Sequence, residues 1–158
     1  MYGVAHAYPP PEKTVRSRAL DALSRREHSR TELARKLAAH TDKPDELHAL
    51  LDDLQARGWL SDARYTEQLV HARQARYGSR KIVFELRKQG VDESLISASV
   101  AGLNDTELER ARAVWEKKFG QAPTTEQEKV KQIRFLQSRG FGWEVIARVV
   151  KARLPGEP

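Results

Sequence analysis

Cysteine is absent from the 158-residue chain, and its one methionine is Met1. Without thiols the chain can form neither disulfides nor thiolate metal sites. Long apolar runs are also missing, since none approaches the ~20 residues that a membrane-spanning helix needs. Residues 1–12 contain neither a basic start nor an apolar stretch, so we expect no signal peptide. By elimination we expect a cytoplasmic protein that does not contact a membrane.

Patterns typical of catalysis or cofactor binding are lacking as well. The five histidines do not have the spacing of a helical zinc site, and we interpret them as surface or capping residues. Gly140 and Gly142 form a lone glycine pair with no preceding strand, which does not indicate a dinucleotide loop. No phosphate-binding loop and no Gly-x-Ser-x-Gly motif occurs. We therefore predict a non-enzymatic protein without metal or cofactor.

Charged residues are plentiful, with 28 Lys and Arg against 22 Asp and Glu, giving a formal net charge of +6. A basic protein favours an anionic partner. The alternative is an ordinary soluble protein that happens to be basic. Residues 1–13 contain Pro9, Pro10 and Pro11 and no periodic apolar pattern, which indicates a flexible leader.

Helical periodicity extends along the chain from Thr14, without the alternation typical of strands. Nine helices are predicted, at about residues 15–27, 30–39, 44–57, 62–77, 80–89, 93–102, 105–119, 125–139 and 143–153. Asn104, with Glu107 three residues later, resembles a capping box at the start of the seventh predicted helix. Left-handed C-caps are predicted at five glycines: Gly58, Gly78, Gly90, Gly120 and Gly140.

The nine helices form three sets of three that repeat about every 50 residues. Leu86 overlays Leu136, and Gly90 overlays Gly140, at the same offset. We predict an all-α, elongated tandem array of three three-helix repeats, which we expect to be a monomer. The predicted divisions are a leader (1–13), repeat one (14–60), repeat two (61–103), repeat three (104–154) and a tail (155–158).

Aromatic residues are few, at 7% of the chain. Trp59, Trp115 and Trp143 each lie beside apolar neighbours, so we interpret them as core residues. The alternative is that they stack on nucleic-acid bases.

One predicted helix, residues 80–89, separates apolar from basic side chains. At 100° per residue, Ile82, Val83 and Leu86 share one face. The opposite face contains four basic residues with an aromatic residue among them: Arg80, Lys81, Phe84, Arg87 and Lys88.

Arg73 and Arg76, at the end of the preceding helix, extend this basic stripe. Two interpretations remain open. The stripe is either a solvated face with Phe84 packed under a neighbouring repeat, or a contact surface for an acidic protein or a phosphate backbone. A second set of candidate binding residues in the third repeat comprises Lys129, Lys131 and Arg134.

Three segments resemble signatures of the RecX family. Residues 19–33 (ALDALSRREHSRTEL), followed by Lys36 and Leu37, resemble its opening signature. Residues 58–65 (GWLSDARY) resemble the second, and residues 78–91 (GSRKI, then ELRKQGV) the third. The resemblance spans about residues 14–153. The family usually has proline where this chain has Ser79, which is still a good helix cap.

The resemblance implies a regulator, mainly an inhibitor, of the RecA recombinase. Family members are elongated arrays of three-helix repeats that bind the RecA–DNA filament and suppress its ATP hydrolysis and strand exchange. Recombination, DNA repair and the SOS response would be affected. Two alternatives are a helical protein that binds single-stranded or duplex DNA directly and a neutral protein-interaction scaffold.

Overall fold

A computed structural model describes residues 3, 8, 9 and 11–150 of the chain. Within them the secondary structure is entirely helical, with eight α-helices. These are α1 (Val15–Arg25), α2 (Arg30–Ala38), α3 (Pro44–Ala56), α4 (Asp62–Arg73), α5 (Ser79–Lys88), α6 (Glu93–Lys118), α7 (Glu126–Ser138) and α8 (Trp143–Val149). None of these helices combines the length and apolar character required to span a bilayer. The predicted tail, most of the leader and predicted helical residues 151–153 lie outside the described residues.

The prediction of two separate helices at 93–102 and 105–119 is wrong, because both belong to the continuous helix α6. Asn104 is therefore an exposed residue within a helix and not a cap. A glycine within a helix, such as Gly102, lowers the stability of that helix by only about 1 kcal/mol relative to alanine. Burial on both sides of it offsets this cost, since Leu103 packs into one core cluster and Ala111 into the next.

Three separate hydrophobic clusters form the core, one in each three-helix unit. The first unit comprises α1–α3, the second α4, α5 and the first half of α6, and the third the rest of α6 with α7 and α8. Representative buried residues of the three clusters are Leu33 and Leu51, Ile82 and Leu86, and Leu136 and Ile146. Each unit buries its own apolar stripe, which confirms the elongated tandem array. The boundaries between the repeats stay a prediction.

The junction between the first and second units joins the start of α2 to the end of α5. The Ser29 hydroxyl donates to the carbonyl of Gln89 at 2.7 Å. Gly90, the next residue, packs so tightly on Thr31 that a Cβ would lie 2.1 Å from its Oγ1. The repeat-to-repeat contact thus depends on a glycine at the end of the second helix of a unit.

The junction between the second and third units has the same design. Gly78 N–H donates to the carbonyl of Arg139 at 2.7 Å, and Gly140 packs on the backbone of Lys81. Gly140 has a φ of +90°, so it is a left-handed C-cap as predicted. Gly78 is not: its φ is −79°, it is the N-cap of α5, and a Cβ there would lie 2.4 Å from the Gly140 carbonyl oxygen. Because the two junctions match, α7, α5 and α2 meet end to end along the array.

Candidate functional site

The outer surface of α5 has the two faces that the sequence predicts. Ile82 and Leu86 are buried and Val83 is half-buried. The opposite side, which we name the basic face of α5, consists of exposed residues: Arg80, Lys81, Phe84, Arg87 and Lys88.

Phe84 lies in the middle of this basic face with 69% of its surface exposed. The interpretation that it packs under a neighbouring repeat is therefore wrong. An aromatic ring left in water among cations is typical of contact surfaces, where aromatic residues and arginine are enriched. The contact surface and its partner both stay a prediction.

Two of the predicted binding cations already have carboxylate partners. Arg73 donates two hydrogen bonds of 3.1 Å to Glu85, and these bonds raise the pKa of the arginine. Arg87 donates to Glu93 at 2.7 Å, and this contact raises the pKa of Arg87 and lowers that of Glu93. Both pairs are partly or largely exposed, so their net contribution to stability is small.

The other cations of the stripe differ from Arg73 and Arg87 in their partners. Four of them form no ion pair with a carboxylate among the described residues: Arg76, Arg80, Lys81 and Lys88. These four residues are the ones best able to attract an anionic partner.

A cluster of cations crosses the second junction and adds a residue that the sequence analysis missed. Lys81 Nζ lies 4.5 Å from the ring centre of Tyr77, and the Arg139 guanidinium lies 5.5 Å from the same ring. Arg139 also donates to the carbonyl of Arg76 at 3.5 Å. In the sequence, the only indication of its role is that Arg139 precedes the predicted cap Gly140. The fold then brings Arg139 beside the end of α4 and the start of α5.

Two polar residues of α6 hold the turn that precedes the basic face. The Ser79 N–H and hydroxyl both donate to the buried carboxylate of Glu107 at 3.0 Å. Arg110 donates to the carbonyls of Gln74 and Tyr77 at 2.9 and 2.8 Å, and burial lowers its pKa. A charged partner strengthens such hydrogen bonds. This arrangement depends on Ser79, because a proline at this position would lack the N–H donor.

The third-unit candidates lie on α7. Lys131 and Arg134 are exposed and line a shallow depression with Val130, while Lys129 is half-buried. At the repeat offset, Lys131 corresponds to Lys81 and Arg134 to Phe84. Lys131 and Arg134 thus lie on the side of α7 that corresponds to the basic face of α5, but this side of α7 contains fewer basic residues.

An open groove of about 620 Å³ runs between α5 and α6. Val83, Ile96 and Val100 line it with apolar surface, and Arg80 and Arg87 line its α5 side. The basic face therefore adjoins an apolar trough.

The three tryptophans differ in their surroundings. Trp115 is half-buried against the third cluster and donates to Gln132 at 2.8 Å, so its packing interpretation is confirmed. That interpretation is wrong for Trp59 and Trp143, which are 45% and 57% exposed. Trp143 is the first residue of α8, where its side chain remains outside the third core.

Comparisons with known proteins identify the family. The family models described as the second and third three-helix domains of RecX match residues 61–99 and 105–150. The regulatory protein RecX of Leptothrix cholodnii is 48% identical over 141 residues, which cover 89% of this chain and 90% of that protein. The chain belongs to the RecX family. The regulatory protein RecX of Ralstonia nicotianae is 43% identical, over 92% of this chain and 91% of that protein.

Solved structures of RecX proteins share the fold. RecX from Lactobacillus salivarius has a TM-score of 0.73 at 20% identity, covering 87% of this chain and 92% of that one. A second structure, of regulatory protein RecX, has a TM-score of 0.75 at 21% identity, covering 87% and 72%. In this RecX-family chain the third signature, residues 78–91, is helix α5 together with its two junction glycines.

Proposed function

We propose that this chain is a regulator, mainly an inhibitor, of the RecA recombinase. It acts as a monomer in the cytoplasm, without catalysis or cofactor, by binding the RecA–DNA filament and suppressing ATP hydrolysis and strand exchange. Its action affects recombination, DNA repair and the SOS response. The observation that carries the proposal is the identity of 48% over 89% of the chain to a regulatory protein RecX.

The geometry supports this proposal through the basic face of α5. A nucleoprotein filament is a long polyanion, and an elongated array can follow it over several units. Arg80 and Lys81 lie near the middle of the array, beside the second junction, and project away from the buried Ile82. These two cations are the first contacts that we assign to the filament.

Steady-state ATP hydrolysis by RecA on single-stranded DNA tests the regulatory function. We expect the protein to lower the rate at amounts well below one molecule per RecA. Unchanged hydrolysis with equimolar protein would contradict the proposal.

Paired substitutions test the assignment of the basic face. Arg80→Ala with Lys81→Ala should weaken filament binding and leave the melting temperature close to that of wild type. The matched control removes two exposed cations of α6, by Arg112→Ala with Lys117→Ala, and should retain binding. If the control loses as much affinity as the Arg80 and Lys81 variant, net charge alone is responsible.

A further pair separates the second unit from the third. Arg87→Ala with Lys88→Ala should also reduce binding and inhibition. Wild-type behaviour of this variant would move the site to the third unit: Lys129, Lys131 and Arg134.

Direct binding to DNA is the second candidate function, and the cations without ion pairs favour it. Each phosphate contact releases counterions, so log K should fall with log salt by about 0.7–0.9 per phosphate. Contacts to acidic residues of RecA should instead give a shallower dependence, concentrated in the association rate. Salt titrations of binding to bare and to RecA-coated DNA distinguish the two functions.

A further inference from the structure

Two exposed aromatic residues, Phe84 and Trp143, belong to the two segments that lie next to Arg80. Phe84 lies four residues after Arg80, which places both on one face of α5 about one turn apart. On the other side, a Cβ built on Gly142 would lie 3.8 Å from Arg80 Nε and Nη2, and Trp143 is the next residue. The second junction therefore brings the segment of the third unit that contains Trp143 to the end of the basic face.

Both rings have faces available to a ligand. Among the described residues no cation lies over Phe84 or Trp143, and no second ring stacks on them. Trp59 differs, because the guanidinium groups of Arg16 and Arg57 lie 6.0 and 5.2 Å from its ring centre. Trp59 is thus an exposed tryptophan whose ring already has cationic neighbours.

The charges around the two rings suit a linear polyanion. Arg80 and Lys81 form no ion pair within the part of the chain that the structure describes. The end-to-end order of α7, α5 and α2 continues the surface in both directions from this point. Rings alternating with unpaired cations are the elements by which proteins bind single-stranded nucleic acid, stacking on bases and neutralising phosphates.

We propose that Phe84 and Trp143 stack on unpaired bases of a single nucleic-acid strand, with Arg80 and Lys81 binding its phosphates. The inference rests on the proposed function in that it names the filament component that the basic face of α5 contacts. Duplex DNA cannot offer this contact, because its bases are stacked within the helix. A partner protein would be the alternative occupant.

Anisotropy with two fluorescent oligonucleotides tests the stacking directly. One is oligo-dT of about 16 nucleotides, and the other is an abasic strand of equal length, which retains the phosphates and lacks the bases. Wild-type full-length protein should bind oligo-dT more tightly. Phe84→Leu and Trp143→Leu should each lower the affinity for oligo-dT about tenfold, since stacking of one base contributes a change of this size. Their affinity for the abasic strand should not change.

The controls separate stacking from a loss of folding. Trp59→Leu should bind both strands like wild type, and Phe84→Tyr and Trp143→Phe should retain the preference for oligo-dT. All variants should keep the wild-type melting temperature, because the two rings are exposed.

Equal binding of the two strands by wild type would overturn the inference. So would Leu variants that bind oligo-dT normally but lose RecA-coated DNA, since the rings would then contact protein. The proposed function fails separately: a wild-type protein that prefers oligo-dT yet leaves RecA hydrolysis unchanged would retain the stacking site and lose the regulatory role.

Discussion

Phe84 and Phe141 are the same side chain in two environments. Phe84 stands in water on the basic face of α5, whereas Phe141 is 2% exposed in the third core cluster. The helical periodicity of α5 predicts that Phe84 lies on the polar side, but the sequence alone leaves open whether another unit covers it. Only the placement of neighbouring units settles its exposure, as it does for Trp143.

Alanine substitutions should separate the two environments. Phe141→Ala should lower the free energy of unfolding by about 3–5 kcal/mol, because a buried ring leaves a cavity. Phe84→Ala should change it by less than about 0.5 kcal/mol and should reduce affinity for the filament. Urea denaturation and filament binding give the two quantities. A strongly destabilised Phe84 variant would contradict the exposed placement.

His28 should make the stability of the protein depend on pH. The interpretation of His28 as a surface or capping residue is wrong, because its ring is buried and the N-cap of α2 is Ser29. Its Nδ1 lies 3.0 Å from the carbonyl of Arg26, and Nε2 has no hydrogen-bond partner within the described residues. Burial lowers its pKa from the usual value of 6.5. The unfolded chain therefore takes up a proton before the folded one does, and the free energy of unfolding falls as the pH drops below 6.5.

Urea denaturation between about pH 7.5 and about pH 5.5 measures this dependence. His28→Gln should flatten it, whereas the exposed His40→Gln should leave it as in wild type. An unaltered slope in the His28 variant would show that other groups cause the acid sensitivity.

At the scale of elements, α6 shows where sequence patterns mislead. Gly102 and Asn104 are local signals for a helix end, yet the chain continues because two cores bury the helix on both sides. The hydrogen bond from Ser79 to the buried carboxylate of Glu107 could not be predicted either, because the two residues are 28 positions apart in the sequence. Period and spacing predict the faces of a helix, and they contain no information about which unit lies against each face.

Two glycine substitutions test the helix and the junction separately. Gly102→Ala should raise the free energy of unfolding by about 0.5–1 kcal/mol, because a Cβ there meets open space within a helix. Gly140→Ala should lower it by more than about 1 kcal/mol, since its φ is +90° and a Cβ would lie 2.5 Å from Lys81 Cβ. Thermal unfolding followed by circular dichroism compares them. A Gly140 variant as stable as wild type would contradict the close junction.

For the whole molecule, the repeat of about 50 residues correctly predicts the all-helical tandem array, because each unit buries its own stripe. The matching junctions at Gly90 and Gly140 make the array continuous. An elongated particle should have a radius of gyration clearly above the about 15 Å of a compact chain of this length. Small-angle scattering measures this radius, and a value near that of a globule would contradict the array.

The central claim is that the chain acts on the RecA–DNA filament. Binding to equal amounts of bare single-stranded DNA, duplex DNA and RecA-coated single-stranded DNA, compared by gel shift in one buffer, tests it most directly. We predict the tightest binding to RecA-coated DNA, weaker binding to the bare single strand and the weakest to the duplex. Tighter binding to either bare DNA than to the RecA-coated strand would contradict the account.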